Sequence, residues 1–561
     1  MAARRRAARF MTRNVLSPSD LETGSRPATI AAPQQFLLFA LFFASLMLLH
    51  APLLRLPYFW DEAGYYVPAA RDLYLTGALV PQSTPSSEHP PLVMAWLALA
   101  WRVVGYSTLV TRTAMLMLAA FSLLGLFRLA RAAANAPVAW ATTALVAVYP
   151  VFFTQSSLAQ VDLPAAGFTF WALLAFLEDH PWKQVWWFSL AALAKETAII
   201  APLALFAWQV IAPEVGKRWT GKRWAEFAPP ESRHTRAFHL LLPVLALIGW
   251  FAYHYAKTGY VFGSPGFFRY NVAETLNPLR IPLAFALRLW QVCGYLGLYS
   301  LTVAGSLALL RRPQTENEIS RPCIAIWKQA AFAVVLMAYL VFMSAVGGAV
   351  LARYLLPAVP LVILAWVATL WRRARYWTLI VGAVAIAFVV GLFVNPPYGF
   401  SLEDNLAYRD YIVLHAQASR FLSLTSPNAR VLTAWPASDE VTRPWLGYVA
   451  RPFHVLRMED FAAPQIELAS LARGQYSVAL VFSTKYQPPR PLLEDWAAWQ
   501  RLKERFFGYH RDLLPDAIAQ RLGGRIVYQK KASGQWIAVI AFDQNAGQDA
   551  QLRMMNRDDA R

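Results

Sequence analysis

The sequence predicts a polytopic α-helical membrane protein with a soluble α/β segment at its C-terminal end. Of its 561 residues, 57% are hydrophobic and only 15% are charged, whereas soluble globular chains carry about 25% charged residues. Apolar runs of about 20 residues, the length that crosses a bilayer as a helix, recur up to residue 394. Beyond that point charges and turn residues become frequent, and the apolar runs shorten to strand length.

The net charge of +19 is better explained by basic cytoplasmic loops than by binding to nucleic acid. The sequence contains no zinc-ligand spacing, no Walker-type glycine loop and no GxGxxG motif between a strand and a helix. Its two cysteines, Cys293 and Cys323, are too few for a disulfide framework, and we expect both to be packing residues. Composition and motifs therefore argue against nucleic-acid-binding, zinc-finger and dinucleotide-binding proteins.

Loop charges predict the topology. Residues 1–35 are basic and are expected to be a disordered cytoplasmic segment that precedes an uncleaved first span at 36–54. The apolar run Pro90–Gly105 has only 16 residues and contains Arg102, so we expect an interfacial helix that does not span. With that assignment the basic loop at 217–236 faces the cytoplasm, as the positive-inside rule requires.

This assignment yields about eleven spans and places both the first outer loop and the C-terminal segment on the outer side of the membrane. The expected domains are the membrane domain at 36–394, with its first outer loop at 55–108, an outer α/β domain at 395–545 and a disordered tail at 546–561. After the first span, the predicted spans cover 109–131, 136–154, 164–178, 183–195, 197–212, 238–256, 282–310, 325–346, 354–371 and 376–394.

The C-terminal segment alternates strand and helix patterns. Turn signals at Asn428-Ala429 and Ser533-Gly534 separate apolar runs, and the second turn is predicted to close a hairpin. The predicted strands are Arg430–Ala434, Val478–Ser483, Arg525–Gln529 and Trp536–Phe542, and the predicted helices are Leu492–Phe507 and Arg511–Leu522.

The first outer loop carries adjacent carboxylates, Asp61 and Glu62, inside the aromatic motif WDEAGYY. Acids beside a membrane segment are costly to place and are typical of functional sites. Neighbouring residues cannot share one face of a helix, so we expect different roles, one as a general base and the other orienting a substrate or a cation. An equally good alternative is that both acids favour the dipole at the start of an interfacial helix.

The same loop ends with Glu88-His89-Pro90-Pro91. His89 could contact a phosphate, and Glu88 could pair with it or join it in holding a divalent metal. Taken alone, this motif fits better with a capped helix start, because two prolines end one helix and pre-set the next.

Three further polar sites interrupt apolar runs: Asp162 before a proline, Lys195-Glu196 between two short spans, and Arg353-Tyr354 at a span boundary. An arginine at that position suits a phosphate. Each site also has a structural alternative. Asp162 would be an ordinary loop acid, Lys195-Glu196 an ion pair that allows a short hairpin to turn, and Arg353 an arginine that snorkels to lipid headgroups.

The predicted topology brings Asp61, Glu88, Asp162, Lys195 and Arg353 to the outer face of the membrane. Because the topology was derived from loop charges alone, this convergence is independent support for one common site.

Taken together and in this order, the motifs resemble the GT-C superfamily, and specifically its glycosyltransferase 39, ArnT-like and protein O-mannosyltransferase-like group. No single motif is specific, but five in the same order and topology are. The matching segments are WDEAGYY at 60–66, EHPPL at 88–92, SLAQVDLPAAGF at 157–168, LAALAKETA at 190–198 and RYLLPAVP at 353–360.

The resemblance implies an inverting transferase that uses a polyprenyl-phosphate sugar at the outer face and requires no cofactor. Asp61 and Asp162 then match the loop acids of the family, and Glu88 matches the acid before its two prolines. His89 departs from the lysine usual in aminoarabinose transferases, which weakens any assignment of that sugar or of lipid A as acceptor.

The site residues expected on this basis comprise three catalytic acids, a set of donor-phosphate ligands and an optional metal pair. The acceptor would be a lipid, a glycan or a protein. The catalytic acids are Asp61, Glu62 and Asp162, the phosphate ligands are Lys195, Arg353, His89 and Tyr354, and the metal pair is Glu88 and His89.

The main alternative function is a transporter or flippase for a lipid-linked or polar solute. Such proteins place charges near the bilayer midplane and often contain inverted repeats. Here the acids gather at one face and the sequence shows no internal repeat. The transferase is therefore the preferred prediction.

Overall fold

The computed structural model describes residues 31–85, 89–218, 231–269, 272, 274–316, 319–488 and 496–542. Residues 1–30 of the predicted N-terminal segment at 1–35, the tail from 546 and Glu88 lie outside these residues. Residues 32–35 of that segment already belong to the first helix, so they are not disordered as predicted. Within the described residues, α-helices occupy most of the first 425 positions and a five-stranded sheet follows them.

The helices of the membrane domain are numbered in chain order. They are α1 (Ala32–Leu49), α2 (Val67–Thr76), α3 (Leu92–Val104), α4 (Thr108–Ala133), α5 (Ala136–Val148), α6 (Pro150–Ser157), α7 (Asp162–Leu177), α8 (Pro181–Ala194), α9 (Ile200–Arg218), α10 (Pro243–Thr258), α11 (Pro265–Phe268), α12 (Arg280–Cys293), α13 (Leu298–Leu309), α14 (Ile326–Ala345), α15 (Val359–Arg373) and α16 (Trp377–Phe393).

Five helical segments of the described chain are long and apolar enough to cross a membrane, and a bent pair makes a sixth. All six coincide with predicted spans. The other five predicted spans coincide with α7, α8, α9, α15 and α16, which are shorter or more polar, so the total of eleven stays a prediction. The six are Ala32–Leu49, Thr108–Ala133, Arg236–Thr258, Arg280–Leu309, Ile326–Ala345 and the pair α5–α6.

Two predicted spans are interrupted. Helices α5 and α6 meet at 67°, because Pro150 cannot donate the backbone hydrogen bond that would continue α5. Between α12 and α13 the backbone turns left-handed at Leu296 (φ 45°) and Gly297 (φ 91°). The predicted span at 282–310 is confirmed as a segment of spanning length, but its helix is broken at these two residues.

Helix α3 has the length predicted for a helix that does not span. Its 13 residues extend about 20 Å, which is short of the roughly 30 Å hydrocarbon core. Leu97 and Trp101 on its buried face are at most 1% exposed, while Arg102 on the other face is exposed.

The C-terminal segment contains strands β3 (Arg430–Ala434), β4 (His454–Met458), β5 (Val478–Phe482), β6 (Arg525–Ala532) and β7 (Gln535–Ala541), after a short hairpin of β1 (Thr315–Glu316) and β2 (Ile319–Ser320). The sheet order is β4-β3-β5-β7-β6. Strands β4, β3 and β5 run parallel to one another, and β7 pairs antiparallel with both β5 and β6. Its helices are α17 (Ala407–Thr425), α18 (Ala437–Thr442), α19 (Ala463–Leu471), α20 (Ala497–Phe507) and α21 (Pro515–Leu522).

Four of these strands are the predicted ones, and Ser533-Gly534, both with positive φ, closes the expected hairpin. Strand β4 was missed, because as an edge strand it is largely exposed and lacks a strong apolar pattern. Helix α21 begins at Pro515, four residues later than predicted, since the proline pre-sets the first turn.

The C-terminal segment packs directly on the first outer loop. The Tyr448 hydroxyl donates to the carbonyl of Tyr58 at 2.9 Å, and the Tyr106 hydroxyl donates to the carbonyl of Trp445 at 2.9 Å. One hydrophobic core runs from Phe59 in the loop through helix α17 to strand β3. The loop is therefore held between the helices and the sheet.

Candidate active site

The motif at 60–66 folds into an unusual backbone. Trp60 adopts a left-handed conformation (φ 41°), and Glu62–Tyr66 form a π-helical turn before α2. Left-handed non-glycine residues and π-turns both occur preferentially at functional sites. This backbone points Asp61 and Glu62 into two different clusters.

Asp61 belongs to a cluster centred on Arg353, which lies in the short turn before α15. One Arg353 nitrogen (Nη2) donates to Asp61 Oδ2 at 2.5 Å, and its Nε lies 3.4 Å from Asp162 Oδ2. The side chain of Asp61 is 21% exposed, whereas those of Arg353 and Asp162 are 2% and 3% exposed. Asp61 is thus the carboxylate of these two that solvent reaches.

Asp162 starts helix α7 and is paired with Lys195, which ends α8. The Lys195 Nζ donates to Asp162 Oδ1 at 2.5 Å and also lies 3.9 Å from the ring centre of Tyr354. The second oxygen of Asp162 and the Nε of Arg353 are buried and make no hydrogen bond with each other or with another described group. The cluster therefore keeps unused hydrogen-bonding capacity next to a partly open carboxylate.

Glu403 is a member of this cluster that the sequence analysis missed. It follows the last predicted span, and its Oε2 accepts from Arg353 Nη1 at 3.1 Å and from Gln160 Nε2 at 2.9 Å. Arg353 Nη1 also donates to Gln160 Oε1. Burial raises the pKa of Glu403 despite the opposing effect of Arg353. A sequence pattern could have indicated Glu403, because Glu403-Asp404 are two adjacent acids beside a membrane boundary, as Asp61-Glu62 are.

Glu62 lies in a separate, closed cluster. Arg112, near the start of α4, binds both carboxylate oxygens, with Nη2 to Oε2 at 3.0 Å. The backbone N–H groups of Phe59 and Ala159 donate to the same carboxylate. Both charged side chains are at most 1% exposed. This geometry argues against direct contact of Glu62 with a substrate, and indicates that the ion pair positions the loop.

His89 lies at the edge of the site. Its Nδ1 is 2.8 Å from Glu196 Oε2, and its ring packs against Tyr66 at 5.8 Å. Glu88, the other predicted metal ligand, is outside the described residues. Among the residues described, no three His, Cys, Asp or Glu side chains converge as ligands of a metal would. The metal pair stays a prediction.

Arg288, in helix α12, is a further buried cation near the cluster. It is 0% exposed, and its nitrogens donate to the carbonyls of Met343 and Leu351 and to Gln291. Its guanidinium lies 5.7 Å from the ring centre of Tyr354, whose ring also receives Lys195. Tyr354 therefore stands among three cations, counting Arg353 at 5.5 Å.

Comparison with known proteins relates this arrangement to a family. Residues 88–228, about a quarter of the chain, match the family described as dolichyl-phosphate-mannose-protein mannosyltransferase. ArnT from Cupriavidus metallidurans, in a crystal structure bound to undecaprenyl phosphate, aligns over 91% of this chain and 98% of its own with a TM-score of 0.51 and 14% identity. The chain therefore shares the fold of this ArnT structure.

Two other solved structures align with most of this chain. The Archaeoglobus fulgidus oligosaccharyltransferase aligns over 80% of this chain and 67% of its own, with 10% identity and a TM-score of 0.41. The arabinofuranosyltransferase AftD from Mycobacteria aligns over 92% of this chain and 40% of its own, with 13% identity and a TM-score of 0.42. No curated protein sequence matches the chain significantly.

The match to ArnT supports the fold, and the apolar helices of the described residues indicate a multi-pass membrane protein. The matched segment, 88–228, contains His89, Asp162 and Lys195. Asp61, Arg353 and Glu403 lie outside it and join the site only through the tertiary structure. The identity of the sugar and of the acceptor follows from none of these matches.

Proposed function

We propose that this protein is a GT-C glycosyltransferase of the inverting type, which moves a sugar from a polyprenyl-phosphate donor to an acceptor at the outer face of the membrane. The observation that carries the proposal is Asp61, a partly exposed carboxylate on the edge of a buried cluster of acids and cations. A substrate that enters from the aqueous side meets Asp61 before the buried members. The family match supports the donor class, since that family is named for a lipid-phosphate sugar.

In the proposed reaction, a hydroxyl of the acceptor attacks the anomeric carbon of the donor sugar, and Asp61 accepts the proton of that hydroxyl. The new bond joins the acceptor oxygen to the anomeric carbon. The bond from that carbon to the phosphate oxygen breaks, and its electron pair leaves with the polyprenyl phosphate. Attack from the side opposite the phosphate inverts the configuration. Asp162 orients the acceptor or the sugar.

The cations Lys195 and Arg353 stabilise the charge that develops on the leaving phosphate. Both are already paired, Lys195 with Asp162, and Arg353 with Asp61 and Glu403. Three carboxylates thus share these two cations, so the charge that develops on the leaving phosphate is better stabilised once one carboxylate is neutralised.

Proton transfer to Asp61 supplies that neutralisation. Once Asp61 carries the acceptor's proton, Arg353 loses one of its anionic partners and becomes a better ligand for the phosphate. Acceptor activation and departure of the leaving group are thereby coupled through one guanidinium. The ring face of Tyr354 contacts the ammonium group of Lys195 and helps to hold it in place. His89 remains a predicted phosphate ligand.

The proposal is tested with purified protein and a panel of radiolabelled polyprenyl-phosphate sugars. We expect label to move to an acceptor, or to water, with the wild type and not with Asp61→Asn. The matched control is Asp179→Asn, which also removes an Asp–Arg pair (Arg236, 3.1 Å) but lies beyond the opposite end of α7. A folded wild type that binds polyprenyl phosphate and releases label from no donor would contradict the proposal.

A further inference from the structure

An aromatic cluster stands next to Asp61 and is not used by the proposed chemistry. The ring of Trp435 lies 5.4 Å from that of Trp60 and 5.6 Å from that of Tyr65, measured between centroids. All three side chains are only partly buried, unlike Phe59 and Tyr411 behind them, which are 2% and 1% exposed. The cluster therefore presents ring surface beside the reactive carboxylate.

Trp435 comes from the C-terminal sheet, at the place where such sheets bind ligands. It follows directly on β3, the central one of the three parallel strands. In open α/β sheets, ligands bind outside the carboxyl ends of the parallel strands. Here that edge of the sheet faces the first outer loop, because Trp435 contacts Trp60 and Tyr65 of the loop.

The position of Trp435 over the loop is fixed by close packing. A Cβ atom at Gly64 would lie 2.6 Å from the Trp435 ring, so only glycine allows the indole to lie on this turn. Trp60 is held in its left-handed conformation between Trp435 and Tyr411. Such a conformation costs about 1–3 kcal/mol and persists only where the surroundings enforce it.

We propose that Trp435, Trp60 and Tyr65 form a platform that binds a sugar ring of the acceptor. A sugar has apolar C–H faces that suit aromatic rings and hydroxyls that suit a nearby carboxylate. Trp435 lies outside the membrane-spanning helices, whereas the polyprenyl chain of a donor must lie among them, so the platform is on the acceptor side of Asp61. The reactive site is that of the proposed function, but binding to the platform requires no catalysis.

Binding is tested with the full chain in lipid nanodiscs, using saturation-transfer difference NMR and a panel of methyl glycosides of hexoses and pentoses. We expect at least one glycoside to bind, and Trp435→Ala to weaken it about three- to tenfold, the loss of one ring contact. Trp435→Phe, which keeps a ring, should recover most of the affinity.

The matched control is Trp445→Ala. This tryptophan is also partly buried and also packs on the first outer loop, with its ring 4.9 Å from Arg71, but it is not part of the platform. We expect its loss to leave glycoside affinity unchanged. Equal loss in Trp445→Ala and Trp435→Ala, unchanged binding in Trp435→Ala, or no glycoside binding by the wild type would each overturn the inference.

A transfer assay separates this inference from the proposed function. With a labelled donor, Trp435→Ala should raise the KM for the acceptor about three- to tenfold and leave hydrolysis of the donor unchanged. If no donor releases label while glycoside binding still depends on Trp435, the platform stands and the transferase fails. If label is transferred but Trp435→Ala leaves the KM for the acceptor unaltered, the platform is overturned and the transferase stands.

Discussion

Asp61 and Glu62 are neighbours in sequence, yet they belong to opposite kinds of buried ion cluster. Around Glu62, one guanidinium and two backbone N–H groups occupy both oxygens, and within the described residues the hydrogen bonds of Arg112 go to Glu62 and to backbone carbonyls. Around Asp61, three acids compete for Arg353, and one of these acids is partly exposed. The first cluster is saturated and the second is not.

This difference indicates that the cluster around Glu62 has a structural role and the cluster around Asp61 a chemical one. A saturated buried pair has one favourable arrangement and resists change, so it serves to hold a loop in place. A cluster with surplus carboxylates and unused donor and acceptor atoms can accept a proton or a ligand without breaking the fold. Burial and charge alone would not distinguish the two clusters, because Arg112 and Arg353 are almost equally buried.

The largest effect, a loss of stability, is expected when the saturated cluster around Glu62 is broken. Arg112→Met should destabilise the protein by about 3–5 kcal/mol, because it leaves the charge of Glu62 buried and unpaired. Thermal unfolding in detergent measures this, and Asp61→Asn should change the melting temperature little, since its carboxylate is partly solvated. The double variant Glu62→Gln/Arg112→Met should recover most of the loss. A double variant as unstable as Arg112→Met would contradict a buried charge as the cause.

The second-largest effect, on the turnover number, is expected in the cluster around Asp61 and Arg353. Glu403→Gln keeps the contact with Arg353 but removes its charge, so Arg353 binds Asp61 more strongly and the turnover number should fall about tenfold. Asp410→Asn, an acid of the same segment paired with Arg409, is the control and should leave the turnover number unchanged. An unchanged turnover number in Glu403→Gln would show that Glu403 only packs against Arg353.

The smallest expected effect is on the pH dependence of stability, and it concerns Asp404, next to Glu403. Burial and the neighbouring Glu403 raise the pKa of Asp404 to about 8. The folded state therefore holds a proton that the unfolded state has lost above about pH 4, so this group costs stability as the pH rises from about 4 to about 8. Asp404→Asn, which can still accept from Tyr295, should raise the melting temperature more at pH 8 than at pH 5. An equal increase at both values would mean that Asp404 is already ionised in the fold.

Much of the fold was predictable because its signals are local. Apolar runs marked the membrane helices, and alternating apolar runs with turn residues marked four of the five strands in the C-terminal sheet. Edge strand β4 and the break between α12 and α13 were missed, because exposed strands carry a weak pattern and a left-handed Leu296 has no sequence signature.

The candidate site was predictable only as a set of residues that share one face. The acids, Lys195 and Arg353 could be collected from the topology, but their pairing could not. Arg112 was overlooked because it is an isolated charge within an apolar helix, and Glu403 was overlooked although Asp404 is next to it. Each lies 50 residues in sequence from its partner, Glu62 or Arg353, so local patterns do not reveal the pairing.

The sequence by itself determined the membrane class, the helix and strand segments and the face on which the charged motifs gather, since hydrophobic length and loop charge act locally along the chain. Only the tertiary structure decided that Glu62 is enclosed by Arg112, that Arg353 is shared among three acids, and that Trp435 covers the loop at Gly64. Those contacts depend on how distant segments pack, and neighbouring residues such as Asp61 and Glu62 acquire different chemistry because packing gives each a different set of partners.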